Sequence, residues 1–125
     1  MKEVIAIIRM EKVNLLKQAL VDAGFPAFTV RKVIGRGQGT VDPRVMQGAV
    51  EGSPEAIARL KDDGPMLIPN RMMLFAVQDE NVARLVETII KICKSGKNGD
   101  GKIFVKPLED VVRIRTSEHG SAAVA

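Results

Sequence analysis

The sequence contains no tryptophan and no tyrosine, and its only aromatic residues are four phenylalanines. That scarcity weighs against a module that recognises single-stranded nucleic acid by stacking bases on exposed rings. It also excludes every mechanism that modifies or uses a tyrosine. The single cysteine, Cys93, cannot close an internal disulfide, and with the lone His119 it cannot supply a thiolate or imidazole zinc cluster. No apolar run approaches the ~20 residues that a membrane-spanning helix needs. The start, Met1-Lys2-Glu3-Val4, lacks the charged-then-apolar layout of a secretion signal. A chain kept in the reducing cytoplasm, without a membrane span, is the expectation.

What is present is ordinary globular composition: 125 residues, 46% apolar and 27% charged, with a formal charge of +4. The length suits a single domain, residues 1 to 125. Charge is uneven along it, with 7 basic and 3 acidic groups in residues 1–36 but 3 and 5 in residues 37–70. The middle third is a different kind of sequence.

Val4-Ile5-Ala6-Ile7-Ile8 is a short β-branched run that reads as a central strand. Val13, Leu16, Leu20 and Ala23 then recur at helical spacing, and Gly24 is a suitable stop. Phe28, Val30 and Ile34 carry a second strand to Gly35. The same order returns after residue 70, with a strand over 71–77, Asp79 as an N-cap, a stripe of Val82, Val86, Ile89 and Cys93, and a strand from Lys102. A shift of 69 residues superposes Val13 on Val82, Leu16 on Leu85 and Leu20 on Ile89. Two strand-helix-strand units in one small chain predict an α+β, ferredoxin-like fold, an antiparallel sheet with both helices on one face. Val111, Val112 and Ile114 suggest a further short strand.

Between the two units lies a connection of about 34 residues, far beyond the ~4–6 residues usual in compact domains. Within it, Ser53-Pro54-Glu55 is a plausible helix start, and Asp62-Asp63 reads as a solvated turn. Gly35-Arg36-Gly37-Gln38-Gly39 opens this connection, and its glycines allow successive N–H groups to turn towards one anion. A plain turn explains the same residues. Gly96 through Lys102 satisfies G-x-x-x-x-G-K, but Ile103 replaces the Ser/Thr that holds Mg²⁺, and a helix precedes the loop where a Walker A motif needs a strand. The P-loop reading therefore fails, although backbone N–H groups and Lys102 could still cradle phosphate. In an extended chain Arg113 and Arg115 share a face and could converge on phosphate or carboxylate oxygens.

Nothing assembles a catalytic set. His119 has no evident orienting partner, Cys93 lies on an apolar helical stripe, and Glu109-Asp110 reads as a solvated turn. No enzyme is expected.

The glycines at 35 and 37 before a long loop, then Gly96-Lys97-Asn98-Gly99-Asp100-Gly101-Lys102-Ile103-Phe104-Val105, then Pro107 through Thr116, together resemble the PII family of nitrogen-regulatory signal proteins. The resemblance covers residues 1 to 38 and 69 to 120. It implies a ferredoxin-like subunit of a trimer with ATP or ADP in the clefts between subunits, 2-oxoglutarate bound beside ATP through Mg²⁺, and a T-loop, here about 37–69, that engages the target. Carried over by position, Gly35, Gly37 and Gln38 form the T-loop base beside the phosphates, and Thr29 lies near the adenine. Gly99, Asp100, Gly101 and Lys102 match the B-loop, about 95–102. Arg113 and Arg115, in the C-terminal segment of about 113–125, reach a nucleotide on the adjacent subunit. The 2-oxoglutarate and Mg²⁺ site maps to Gln38, Gly39 and Arg71.

Two departures bear on that ligand. The basic residue that precedes the family's glutamine is absent before Gln38, and the lysine that commonly follows the T-loop proline is Asn70 here. The long, tyrosine-free loop returning through Leu67-Ile68-Pro69 looks most like the NifI branch, which controls nitrogenase and usually pairs two different PII subunits. The resemblance therefore implies a homotrimer or a hetero-oligomer with a second PII subunit, and dinitrogenase as target. Another PII target, such as an ammonium transporter or glutamine synthetase, is the alternative. A more distant one is an RNA-binding ferredoxin-like domain, which would need at least two exposed sheet aromatics.

Overall fold

The computed structural model describes residues 1–37 and 67–124, together with Gly52 and Pro54. The order is β1 (Lys2–Ile8), a 3₁₀ turn (Met10–Lys12), α1 (Val13–Asp22), β2 (Thr29–Gly35), β3 (Ile68–Val77), a second 3₁₀ turn (Asp79–Asn81), α2 (Val82–Cys93), β4 (Lys102–Pro107) and a short α3 (Ser121–Val124). The four strands form one sheet in the order β2-β3-β1-β4, antiparallel throughout. This is the ferredoxin-like arrangement read from the sequence.

Alternation along β1 and β3 sends Val4, Ala6, Ile8, Met73, Phe75 and Val77 to one face. The helical stripes meet them there, and Leu16, Leu20 and Leu85 are fully buried with Ile89 only 1% exposed. Burying each such side chain stabilises by about 1.5–3 kcal/mol, so this layer dominates folding. Val13 and Val82 are each the first residue of a helix that follows a 3₁₀ turn, so the repeat at a spacing of 69 is structural as well as textual.

Gly24 ends α1 as expected, at φ +91°. The Gly24 N–H donates to the Val21 carbonyl (3.1 Å) and the Phe25 N–H to the Leu20 carbonyl (2.7 Å), the paired bonds of a Schellman cap. Phe25 is thereby turned into the core, with the Arg84 guanidinium 4.8 Å over its ring.

Three local expectations are corrected. Asp79 makes no helix cap, since Asn81 precedes α2 and the Asp79 carboxylate instead takes the N-terminal ammonium at 2.9 Å. β3 begins at Ile68, three residues before the apolar run, because pairing with β2 extends to Ile68–Gly35 beyond the end of β1. Residues 111–114 form no strand, only an isolated bridge between Val112 and His119. The expected helix at Ser53-Pro54-Glu55 and the turn at Asp62-Asp63 lie outside the described residues, Pro54 apart.

The opposite face of the sheet carries Ile5 between Leu74 and Phe104, with Ile7 beside Met72. Neither helix covers it, and Phe104 is 49% exposed.

Candidate functional site

Sheet register decides which candidate residues can meet. At the end of β1 marked by Ile8, the chain runs on into Arg9, and β4 begins at Lys102 opposite Ile7. β2 leaves the sheet at that end through Gly35, and β3 enters there with Arg71 opposite Ile8. Gly35, Gly37, Arg71 and the 95–102 loop therefore share one end of the sheet.

Two side chains organise that loop. The Arg9 side chain, 12% exposed, donates from Nε to the Gly99 carbonyl (3.0 Å) and from Nη2 to the Asn98 carbonyl (2.8 Å), and Nη2 also lies 3.4 Å from an Asp100 carboxylate oxygen. Asp100 accepts from the Ser95 hydroxyl (2.6 Å), the Ser95 N–H (2.8 Å) and the Gly96 N–H (3.0 Å). The Ser95 hydroxyl foremost, with those N–H groups and Arg9, holds the Asp100 carboxyl below its ordinary range against the opposing pull of burial. Gly96, Gly99 and Gly101 all have positive φ, a conformation glycine adopts at no steric cost. Beneath the loop a cleft of about 430 Å³ opens between α2 and the start of β4, lined by Ile89, Ile90, Cys93, Gly101, Lys102 and Ile103. Burial pushes the Cys93 thiol up, as befits a core residue.

Of the remaining candidates, Thr29, Arg113 and Arg115 lie elsewhere. Thr29 begins β2 whereas Gly35 ends it, about 20 Å apart at the usual strand rise. Arg113 and Arg115 belong to a turn over residues 110–120 at the Met1 end of β1, where the Leu108 N–H donates to the Met1 carbonyl and the Gln78 amide to the Ser121 carbonyl. The extended geometry expected for Arg113 and Arg115 is corrected: residues 114–116 turn, and the Ser117 N–H donates to the Arg113 carbonyl (2.8 Å). Arg113 pairs with Glu118 at 2.8 Å, whereas Arg115 is exposed. Arg71 is partly buried and donates to the Asn70 carbonyl. Gln38 and Gly39 lie outside the described residues.

Sequence reasoning missed what holds this turn. His119 does have a partner: its Nδ1 lies 3.1 Å from Asp110, and Asp110 also accepts from the N–H groups of Val111 (2.9 Å) and Gly120 (3.1 Å). Asp110 is thus a clasp rather than a merely solvated turn residue, and its carboxyl is held low, His119 contributing most. It missed the role of Arg9 as well, a cation directly after a buried strand whose partners lie some 90 residues on.

Residues 1–118 match the model of the family described as "Nitrogen regulatory protein P-II". The chain belongs to the PII family. Among its relatives, the "Nitrogen fixation nifHD region glnB-like protein 2" of Methanococcus maripaludis is 43% identical over 125 residues, covering 99% of this chain and 100% of that protein. The corresponding protein of Methanothermobacter marburgensis is 39% identical, covering 99% and 100% respectively. The crystal structure of Arabidopsis thaliana PII bound to citrate has a TM-score of 0.72 at 28% identity, covering 98% of this chain and 88% of that one. Within PII the chain stands close to the archaeal nifHD-region branch. PII proteins are non-catalytic regulators that assemble into oligomers and act on partner proteins. No helix among the described residues is long and apolar enough to cross a membrane.

Proposed function

We propose that this chain is a cytoplasmic PII signal transducer that binds ATP or ADP in clefts between protomers, senses 2-oxoglutarate beside Mg-ATP, and regulates nitrogenase through the 37–69 loop. The observation that carries the reading is the division of the candidate residues between the two ends of the sheet. The nest of Gly99, Asp100, Gly101 and Lys102 stands at one end and the Arg113/Arg115 turn at the other, so one chain does not bring them onto one nucleotide. A neighbour in a trimer, homomeric or shared with a second PII subunit, would bring its Thr29, Arg113 and Arg115 to this chain's nest. The uncovered Ile5, Ile7, Leu74 and Phe104 face offers the surface for such assembly.

The residues present suit a nucleotide polyphosphate. The N–H groups of Gly99 and Asp100 would face the anion, Lys102 would supply a point charge, and Gly35, Gly37 and Gln38 would close the other side. Magnesium, if held between nucleotide and Gln38 with Gly39 and Arg71 nearby, would join the 2-oxoglutarate carboxylates to that site. The nifHD-region names of the relatives support nitrogenase as the target. Ligands would then select one conformation of the 37–69 loop, and a near-complete switch needs about 5.5 kcal/mol of differential affinity between its states.

Only Phe104 among the four phenylalanines stands exposed on the open face, since Phe25 and Phe75 are buried and Phe28 packs on Phe75. That leaves no stacking platform for RNA. Calorimetry with ATP, ADP and single-stranded RNA, and with 2-oxoglutarate with and without Mg-ATP, tests the ligands. Pull-down from a nitrogen-fixing extract tests the target: deletion of residues 40 to 66 should abolish capture of dinitrogenase and keep ATP binding. Retained capture by the deletion would refute the role of the loop.

A further inference from the structure

The Arg9 side chain lies 12% exposed under a loop whose other cations are at the surface, so its charge is not offered to solvent. Its three contacts are all with the loop itself: the carbonyls of Asn98 and Gly99 and the carboxylate of Asp100. In a planar trans peptide the carbonyl and the following N–H point in opposite directions. Fixing the carbonyls of Asn98 and Gly99 towards Arg9 therefore turns the N–H groups of Gly99 and Asp100 away from it, to the outer side of the loop. The same guanidinium offsets the Asp100 charge, which would otherwise repel an anion approaching those N–H groups.

We propose that Arg9 is a positioning residue, one that sets the 95–101 loop in its anion-receiving shape before any ligand arrives. The proposal rests on the nucleotide reading above for the identity of the anion, but not for the loop geometry. Geometry requires arginine specifically. The planar fork can address two successive carbonyls and a carboxylate together, whereas a lysine ammonium at the end of a flexible stem is a point charge without that preset geometry. Asp100 completes the arrangement from the other side by holding the N–H groups of Ser95 and Gly96 inward.

The test compares the full-length chain with Arg9→Met and Arg9→Lys, reading ¹⁵N order parameters without ligand and ATP affinity by calorimetry. In the parent chain residues 98–101 should show order parameters near 0.85, and in Arg9→Met these should fall below about 0.6 while α1 and α2 stay rigid. ATP affinity should drop at least about tenfold in Arg9→Met, the scale expected for losing hydrogen bonds to a charged group. Arg9→Lys should fall between the two in both measurements. Unchanged order in Arg9→Met, or lower order with unchanged ATP affinity, overturns the proposal. Full recovery by Arg9→Lys overturns it too, because charge alone would then suffice. If the parent chain binds no ATP, the nucleotide reading fails, and the order parameters together with pyrophosphate binding decide the role of Arg9.

Discussion

The carbonyl oxygen of Ile7 occupies the space that a side chain at Gly101 would need: a Cβ there would stand 1.8 Å from it. Gly101 also holds φ +109°, so any substitution adds backbone strain to the clash. The contact packs the end of the 95–101 loop against the last residues of β1. Gly101→Ala should therefore destabilise the chain by about 3 kcal/mol or more, read from the urea midpoint. A midpoint equal to the parent's would show that the β1–β4 contact yields easily.

Acid should lower the stability of the folded chain through three aspartates. The carboxyls of Asp79, Asp100 and Asp110 are all held low, by the N-terminal ammonium, the Ser95 hydroxyl and His119 respectively as the leading partners. An unfolded aspartate titrates near 3.9, so as pH falls the unfolded chain takes up protons first. The stabilisation is thus complete above about pH 4 and is lost as pH falls through the lowered folded values. Urea titrations in steps down from pH 6 should show a flat midpoint and then a fall below about pH 4. Asp100→Asn should shrink that fall.

Assembly should depend on the uncovered sheet face. Phe104 lies opposite Ile5, and a charge there is exposed in a lone chain but buried if that face is covered. Phe104→Glu should leave the far-ultraviolet circular dichroism unchanged and shift sedimentation to a smaller species. Persistence of the parent's sedimentation would place the interface elsewhere.

The two arginines of the C-terminal turn should separate in behaviour. Arg113 is tied to Glu118 both by its side chain and by its N–H, which donates to the Glu118 carbonyl at 2.9 Å. Arg113→Ala should lower ATP affinity and also loosen residues 110–120 in hydrogen exchange. Arg115→Ala should lower ATP affinity by about tenfold, the loss of one charge-assisted contact, while exchange stays as in the parent. Equal exchange in both variants would mean that Glu118 does not order the turn.

The fold was legible because its signals are local and periodic. The stripes Val13-Leu16-Leu20-Ala23 and Val82-Val86-Ile89-Cys93 and the stop at Gly24 each state a helix or its end without reference to the rest of the chain, although in the second stripe it is Leu85 and not Val86 that is buried. The connection over 95–101 between α2 and β4 was legible as a run of glycines leading into a lysine. What escaped depends on pairs distant in sequence. Arg9 meets Asn98 and Gly99, Asp79 meets the N-terminus, and Asp110 meets His119 and Gly120. No spacing rule relates such residues, and a lone aspartate reads alike as cap, clasp or solvated side chain. The start of β3 was misjudged for the same reason, since Ile68, Pro69 and Asn70 join the sheet through β2 and not through an apolar pattern of their own.

The split of the candidate residues between the ends of β1 has a genetic consequence. If the proposed trimer closes as a ring, each subunit would lend its Arg9 end to one cleft and its Arg113 end to the next. A chain defective at both ends would spoil two clefts of a trimer and leave one intact. Co-expressed with the parent, such a variant would act dominantly. A second PII subunit sharing the ring would be selected for its two ends separately, each against a different face of its neighbour.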